Sequence, residues 1–376
     1  MFPNATPSLL QLLQRRRFVT NPPPHTTRRH FHSLDGLRGL AALLVAIFHL
    51  SSMRYGFAGY VLVDFFLVLS GFVLAHSYLY RETPVGKWEF AIRRFARLWP
   101  MHVVAILVMY GAIRYPLYGS FFSEPGSNGN NTWGTLLQNL TLTHNIGLPP
   151  NGPYVWTWNL PSWSISVEFW VNILFILLIT KRTKSTGLLV LAIATLGLVL
   201  HGSGSLGTYN ENYFGVLNSG MLRGIGSFVL GIISYRLYMR FHKGTVASWK
   251  ATLIESVCAM LVVVFLFATH WGVPALEILA PFAFALMIPF FACELGSLTR
   301  GAGRLKYLGA ISYSVYLNHM AIAVLFSHKW ISVHVSENPR LLIELVVLLI
   351  FSHFTFQYVE RPSQRFLLKH LLPKRT

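Results

Sequence analysis

The sequence predicts an all-α, polytopic integral membrane protein of about ten transmembrane helices with both termini cytoplasmic. Three observations carry that prediction. Of the 376 residues, 53% are apolar and only 12% are charged, more apolar surface than a water-soluble chain of this length can hide. Apolar runs recur at about 36–53, 58–80, 98–116, 163–180, 186–201, 219–239, 251–270, 274–293, 307–328 and 341–359, each near the ~20 residues that cross a 30 Å hydrocarbon layer. The third observation is how the basic residues fall between those runs. One set of connections holds Arg81, Lys87, Arg93, Arg94 and Arg97, then Lys181, Arg182 and Lys184, then Arg236, Arg240, Lys243 and Lys250, then Arg300, Arg304 and Lys306. Both basic chain ends belong to the same set, whereas the opposite set holds only Arg54, Lys329 and Arg340. Such an asymmetry marks a positive-inside protein with an even number of spans.

The net charge of +18 would suggest nucleic acid on a soluble chain. Here the basic residues punctuate apolar spans instead of covering one face, so the bilayer is the expected partner and nucleic acid is not. Cys258 and Cys293 both sit within apolar runs and specify neither a disulfide framework nor a metal site. Residues 1–33 read as a disordered basic arm with Pro22 to Pro24 and no acid before the first span. That composition suits a cytoplasmic tail or an organelle transit segment. The transmembrane domain is expected over 34–362 and a basic cytoplasmic tail over 363–376, in a plasma (inner) membrane or, alternatively, an organelle membrane.

The first span, LDGLRGLAALLVAIFHL, carries Arg38 and His49. Eleven residues make about three helical turns and about 16 Å, so both side chains share one face. With Arg38 at the surface, His49 is expected near mid-bilayer. An ionisable group in hydrocarbon is costly and usually functional. The second span contains Asp64, as a cavity residue or a packing partner for Arg54 or a histidine, and His76 near its inner end. Arg93, Arg94 and Arg97, in the loop before the third span, suit phosphate, which arginine binds bidentately.

Residues 117–161 contain no Lys or Arg. Trp133–Gly147 is too polar to span and is expected to be interfacial or re-entrant. Trp156, Trp158 and Trp163 are read equally as sugar-stacking rings or as an interfacial aromatic belt. Asn130 and Asn139 open glycosylation sequons. The fourth span opens with LPSWSISVEFW, placing Ser164, Ser166 and Glu168 just inside the outer edge, and the ninth holds ISYSVYLNHM, with Tyr313 and His319 at mid-depth. A neutral imidazole at His49 suits general-base catalysis on a hydroxyl or transient acylation. The rival class is a proton-coupled transporter using His49, Glu168 and His319 as a relay, but the paired, Gly/Pro-broken halves of transporters are not found. A catalytically silent scaffold does not explain the buried ionisable groups.

The motifs resemble a known family. LDGLRGLAALLVAIFH, with its Arg-x10-His spacing at Arg38 and His49, is similar to the opening signature of the acyltransferase-3 family of integral-membrane acyltransferases. FFLVLSGFVLA, RRFARLWP (Arg94 and Arg97), PSWSISVEFW (Ser164, Ser166, Glu168), LGAISYSVYLNHM and VERP resemble its later elements in order. Asn318 departs from the residue common before that histidine. The resemblance implies O-acyl transfer, usually of acetyl, from cytoplasmic acyl-CoA to a hydroxyl of a glycan, lipid-linked sugar or secondary metabolite. It implies His49 as the catalytic centre, Glu168 as an activating or orienting group, and Arg38, Arg94 and Arg97 as donor-binding. Asp64, Ser164, Ser166, Tyr313 and His319 are expected to line the substrate cavity. Acyl-CoA is expected as a co-substrate, with no tightly bound cofactor and no metal. The tail after Pro362 is too short for a hydrolase-like domain, so the acyl group is expected to pass directly to the acceptor or to a separate protein.

Overall fold

The computed structural model describes residues 29–81, 84–114, 133–148, 158–209, 211–213, 217–244, 246–326 and 336–372. The basic arm up to residue 28, the Asn130 sequon and Trp156 lie outside the described residues. The chain divides into Met1–Phe31 and His32–Thr376, and all the elements named here belong to the second unit. They are α1 (His32–Leu50), α2 (Leu62–Leu74), α3 (Lys87–Arg114), α4 (Trp133–Leu140), α5 (Trp163–Leu178), α6 (Ser185–Ser203), a two-stranded hairpin of β1 (Asn212–Tyr213) and β2 (Leu217–Asn218), α7 (Ser219–Phe241), α8 (Ser248–Phe267), α9 (Ala280–Cys293), α10 (Ser297–Arg304), α11 (Lys306–Phe326), α12 (Glu337–Thr355) and α13 (Arg361–Leu371). Nine helical segments among the described residues are long and apolar enough to cross a membrane. The expected span at 219–239 is also a helix, α7, but Arg223, Arg236 and Arg240 keep it out of that set. Of these, Arg223 is buried within the protein, Arg236 is half-buried and Arg240, in the last turn, is exposed.

Two close helix contacts organise the bundle. α1 and α11 run side by side in one direction. A Cβ on Gly39 would stand 2.6 Å from the Gly309 nitrogen, so this pair of glycines permits the approach. α2 meets α7 in the same way, since a Cβ on Gly231 would stand 2.0 Å from the Val68 carbonyl oxygen. Small residues drive such packing in lipid, where the hydrophobic effect no longer favours one helix contact over another. Ala42, Ala46, Leu50, Ile311, Val315, Ile322 and Leu348 then close a core among α1, α11 and α12. Val190 and Ile193 on α6, Val257 and Met260 on α8, and Leu342, Val346 and Ile350 on α12 are exposed, as expected of a lipid-facing surface.

The structure corrects three boundaries. The third span begins at Lys87 instead of 98, so Arg93, Arg94 and Arg97 lie within α3 and not in a loop; Phe90, Ile92, Ala96 and Leu98 are buried along the same stretch. The first span begins at His32, which sets Arg38 about 9 Å into the helix and His49 in its last turn. The last helical segment runs from Glu337 to Leu371, so residues 363–371 of the expected tail are helical. α4 is only eight residues long, in line with a segment too short to span. π-helical turns occupy Ala75–Leu79, after α2, and Phe356–Glu360, between α12 and α13.

Candidate active site

Five helices enclose a cavity of about 190 Å³. α1 contributes Arg38, α3 contributes Arg94 and Arg97, α5 contributes Ser164 and Glu168, and α11 contributes Ser312, Tyr313 and Tyr316. α2 supplies an apolar wall from Phe66 to Leu74 broken by Ser70. Six of the ten residues singled out in the sequence therefore meet in one place: Arg38, Arg94, Arg97, Ser164, Glu168 and Tyr313.

The arginines are held differently. Arg38 is anchored on α11, donating to the Gly309 carbonyl oxygen at 2.7 Å and the Ser312 hydroxyl at 3.1 Å. Asp35 stands 3.4 Å from it. Arg94 lies over the rings of Tyr78 and Phe90, each 5.9 Å away, and its Nε is buried without a partner. Arg97 lines the cavity and makes no hydrogen bond to a described residue. Glu168 lies beside the Ser70 hydroxyl at 3.5 Å, and its charge acts on both Arg38 and Arg94. Glu168 is the one carboxylate in the lining, while Asp35 and Glu360 act on the arginines from outside it, so the guanidinium groups face the hollow with their charge balanced from behind and with donors suited to the oxygens of an anion.

His49 is not in the lining. It shares the Arg38 face of α1, as the spacing predicts, because both side chains meet α11: His49 packs on His319 with ring centroids 5.0 Å apart. The His319 ring in turn lies 5.9 Å from that of Tyr316, a cavity residue. The Nδ1 atoms of His49 and His319 lie 3.0 Å and 2.6 Å from the backbone oxygens of Val45 and Tyr316. A carbonyl only accepts, so each Nδ1 carries the proton and each neutral ring presents its lone pair on Nε2. The Nε2 of His319 is buried and unpartnered.

Glu168, expected as an activating or orienting group, lines the cavity with the three arginines. Asp64 does not line the cavity, and neither Arg54 nor a histidine is its partner. It forms a buried ion pair with Arg223 of α7 at 2.5 Å and accepts from Ser227 at 2.8 Å, while Arg54 pairs with Glu337. Ser166 is also outside the cavity, donating to the Leu142 carbonyl oxygen and accepting from the Asn145 amide. Trp163 stacks inside the bundle on Tyr209 and Arg223, which removes it from any sugar-stacking surface. Asn139 is fully buried and donates to the Thr135 carbonyl oxygen, so its sequon is closed to a glycan. Outside the spans, burial pushes His144 down to about 3, with the charge of neighbouring His102 adding to the effect.

Sequence reasoning missed Tyr316, Ser70, Glu360 and Arg223. Glu360 accepts from the Ser314 hydroxyl at 2.7 Å and acts electrostatically on Arg38 and Arg97. The first three lie inside motifs quoted above. The signal for Arg223 was a lone arginine in an apolar run.

A family model described as an acyltransferase domain matches residues 31–356. "Acyltransferase MdmB" of Streptomyces mycarofaciens is 34% identical over 39% of the chain and 38% of its own length. "Protein 2 in picA locus" of Rhizobium radiobacter is 32% identical over 45% of the chain and 93% of its own length. "Putative O-acetyltransferase SACOL0978" of Staphylococcus aureus (strain COL) is 24% identical over 90% of the chain and 58% of its own length. The match thus spans well under two thirds of the first and third of these relatives. No solved structure matches the chain.

Proposed function

The chain belongs to the acyltransferase-3 family, and from that premise we propose that it is a multi-pass O-acyltransferase. It moves an acetyl group from acyl-CoA to a hydroxyl of a glycan, lipid-linked sugar or secondary metabolite. The observation that carries this reading is the convergence of Arg38, Arg94 and Arg97 in one buried cavity, whose far end touches the residue that packs on the His49–His319 pair. Arginine suits phosphate, and a CoA thioester combines phosphates with a long flexible arm. Arg94 and Arg97, which have donors to spare, hold the phosphates, and Arg38 frames them from α1. Glu168 orients the guanidinium groups. The lone pair on Nε2 of His49 takes the proton of the acceptor hydroxyl or attacks the acyl carbon itself. Both termini are cytoplasmic in this reading, the donor enters from that side, and the protein resides in the plasma membrane.

The test uses membranes or purified protein supplied with acetyl-CoA and extracted glycans or lipids. Released free thiol and an acceptor heavier by one acetyl group are the expected products. His49→Ala should lower transfer by about 10³-fold with expression and insertion unchanged. Full activity in that variant refutes the assignment.

A further inference from the structure

The cavity is polar at both ends and apolar between them. Along α2 its lining runs from Leu74 to Phe66, eight residues or about 12 Å. α5 and α11 pass it in opposite senses. Glu168 belongs to the arginine end, and Ser164, one turn away, meets Tyr316 at the other. Leu69, Leu98 and Ile165 line the middle. The arginine-free end therefore consists of Phe66 and the hydroxyls of Ser164 and Tyr316, 2.8 Å apart.

The hydrogens at that end can be assigned. Ser164 has one O–H, and it donates to the Pro161 carbonyl oxygen at 3.1 Å. Both bonds are made at once only when the Tyr316 phenol donates the one between the two hydroxyls. The phenol ring is fixed by Phe66, whose centroid lies 5.7 Å away, and by His319. A ring packed on two sides thus holds a donor at the arginine-free end of the cavity, beside the histidine pair. That donor rests on a serine whose own proton is engaged elsewhere, so a better acceptor can take it over.

We propose that the Tyr316 hydroxyl binds and polarises the carbonyl oxygen of the donor's acyl group. The assignment rests on the acyl-CoA reading given above. The acceptor oxygen, or Nε2 of His49, forms a bond to the carbonyl carbon, and the π-electron pair moves onto the carbonyl oxygen. Tyr316 donates to that oxyanion. As the carbonyl reforms, the carbon–sulfur bond breaks and the CoA thiolate leaves. Where Nε2 has attacked first, the acceptor oxygen then bonds to the acyl carbon as the carbon–nitrogen bond breaks; on either route the proton lost by the acceptor hydroxyl ends on the sulfur, so atoms and electrons balance without an oxidant or reductant. A donor aimed at developing negative charge raises kcat more than it tightens ground-state binding.

The experiment compares wild type with Tyr316→Phe, using acetyl-CoA for turnover and two stable CoA thioethers for binding: S-acetonyl-CoA, which keeps a carbonyl, and S-propyl-CoA, which lacks one. Tyr316→Phe should lower kcat by about 100-fold and leave KM for acetyl-CoA within about threefold, as expected when only a transition-state contact is lost. Wild type should bind the acetonyl thioether about fivefold more tightly than the propyl one, the worth of one hydrogen bond, and Tyr316→Phe should bind the two alike. Wild-type kcat in Tyr316→Phe overturns the proposal, as does an equal loss of affinity for both thioethers. Ser164→Ala provides a second test, because it frees the phenol donor: the acetonyl preference should persist or grow, and its disappearance overturns the proposal. Wild-type protein that binds neither thioether would instead bring down the acyl-CoA reading itself, and this proposal with it.

Discussion

Two buried arginine sites lie within this bundle, and they are built on opposite principles. Arg223 is 1% exposed and spends both terminal nitrogens on the protein: Nη1 donates to the carbonyl oxygens of Leu206 and Thr208, and Nη2 to Asp64 and the Tyr60 carbonyl oxygen. Its carboxylate partner is saturated by Ser227. Only its Nε is left without a partner, and both terminal nitrogens are engaged, so this node joins α2, α7 and the 204–209 segment as structure. At the cavity, Arg97 has no hydrogen bond to a described residue, Arg94 has a buried Nε without a partner, and the two share one lining carboxylate. A buried charge is tolerable when it is paired and hydrogen-bonded. Unspent donors around a hollow are what the phosphates of the proposed acyl-CoA donor would engage.

The largest effect expected from this contrast is on stability. Asp64→Ala leaves Arg223 buried and uncompensated, which should cost about 3–5 kcal/mol and sharply reduce the monodisperse protein recovered in mild detergent. Replacing both partners with apolar residues should restore part of it. If Asp64→Ala purifies with wild-type stability yet loses activity, the node is a functional site and the contrast fails.

A smaller effect, on binding alone, is expected at the cavity. Arg97→Ala should leave the unfolding midpoint without ligand unchanged and weaken CoA binding by about 10- to 100-fold, or ~1.4–2.8 kcal/mol. At CoA near 100 Kd, wild type should gain about 2.7 kcal/mol of stability, most of which the variant should lose. A large drop in the ligand-free midpoint of Arg97→Ala would show that this arginine too is structural.

The smallest effect concerns a buried group kept neutral. His144 titrates near 6.5 when unfolded and near 3 when folded. Between those values the unfolded chain binds the extra proton, so stability is retained above pH 6.5 and lost as the pH falls, by at most about 1.4 kcal/mol per pH unit. Unfolding midpoints at pH 7.5 and 5.5 should differ less in His144→Gln than in wild type. Equal differences would mean that His144 is already protonated in the folded protein.

How much of this was legible beforehand depended on the kind of interaction. The ten apolar runs all became helices, because a backbone in lipid has few alternatives to internal hydrogen bonding. The Arg38–His49 spacing correctly put both side chains on one face, since helical periodicity is local. The start of that helix was less legible, since His32 opens it earlier than hydropathy suggested. Arg94 and Arg97 were read as loop charge for the same reason. Asp64 and Ser166 looked like site residues because an isolated polar residue in an apolar run looks the same whether its partner is a ligand or another helix. Their partners, Arg223 at 159 residues' separation and Leu142 at 24, are set by packing.

By itself, then, the order of residues determined that the chain lives in a membrane, where its helices lie, and which polar side chains stand out as candidates for chemistry. These follow from solvent and helical period, which act on neighbours along the chain. The tertiary structure decided which of those side chains share a cavity, which neutralise one another, and that Tyr316 stands between the arginines and the histidines. Such outcomes depend on close helix approaches at Gly39 and Gly231, which bring distant segments together and let local geometry fix each charge's partner.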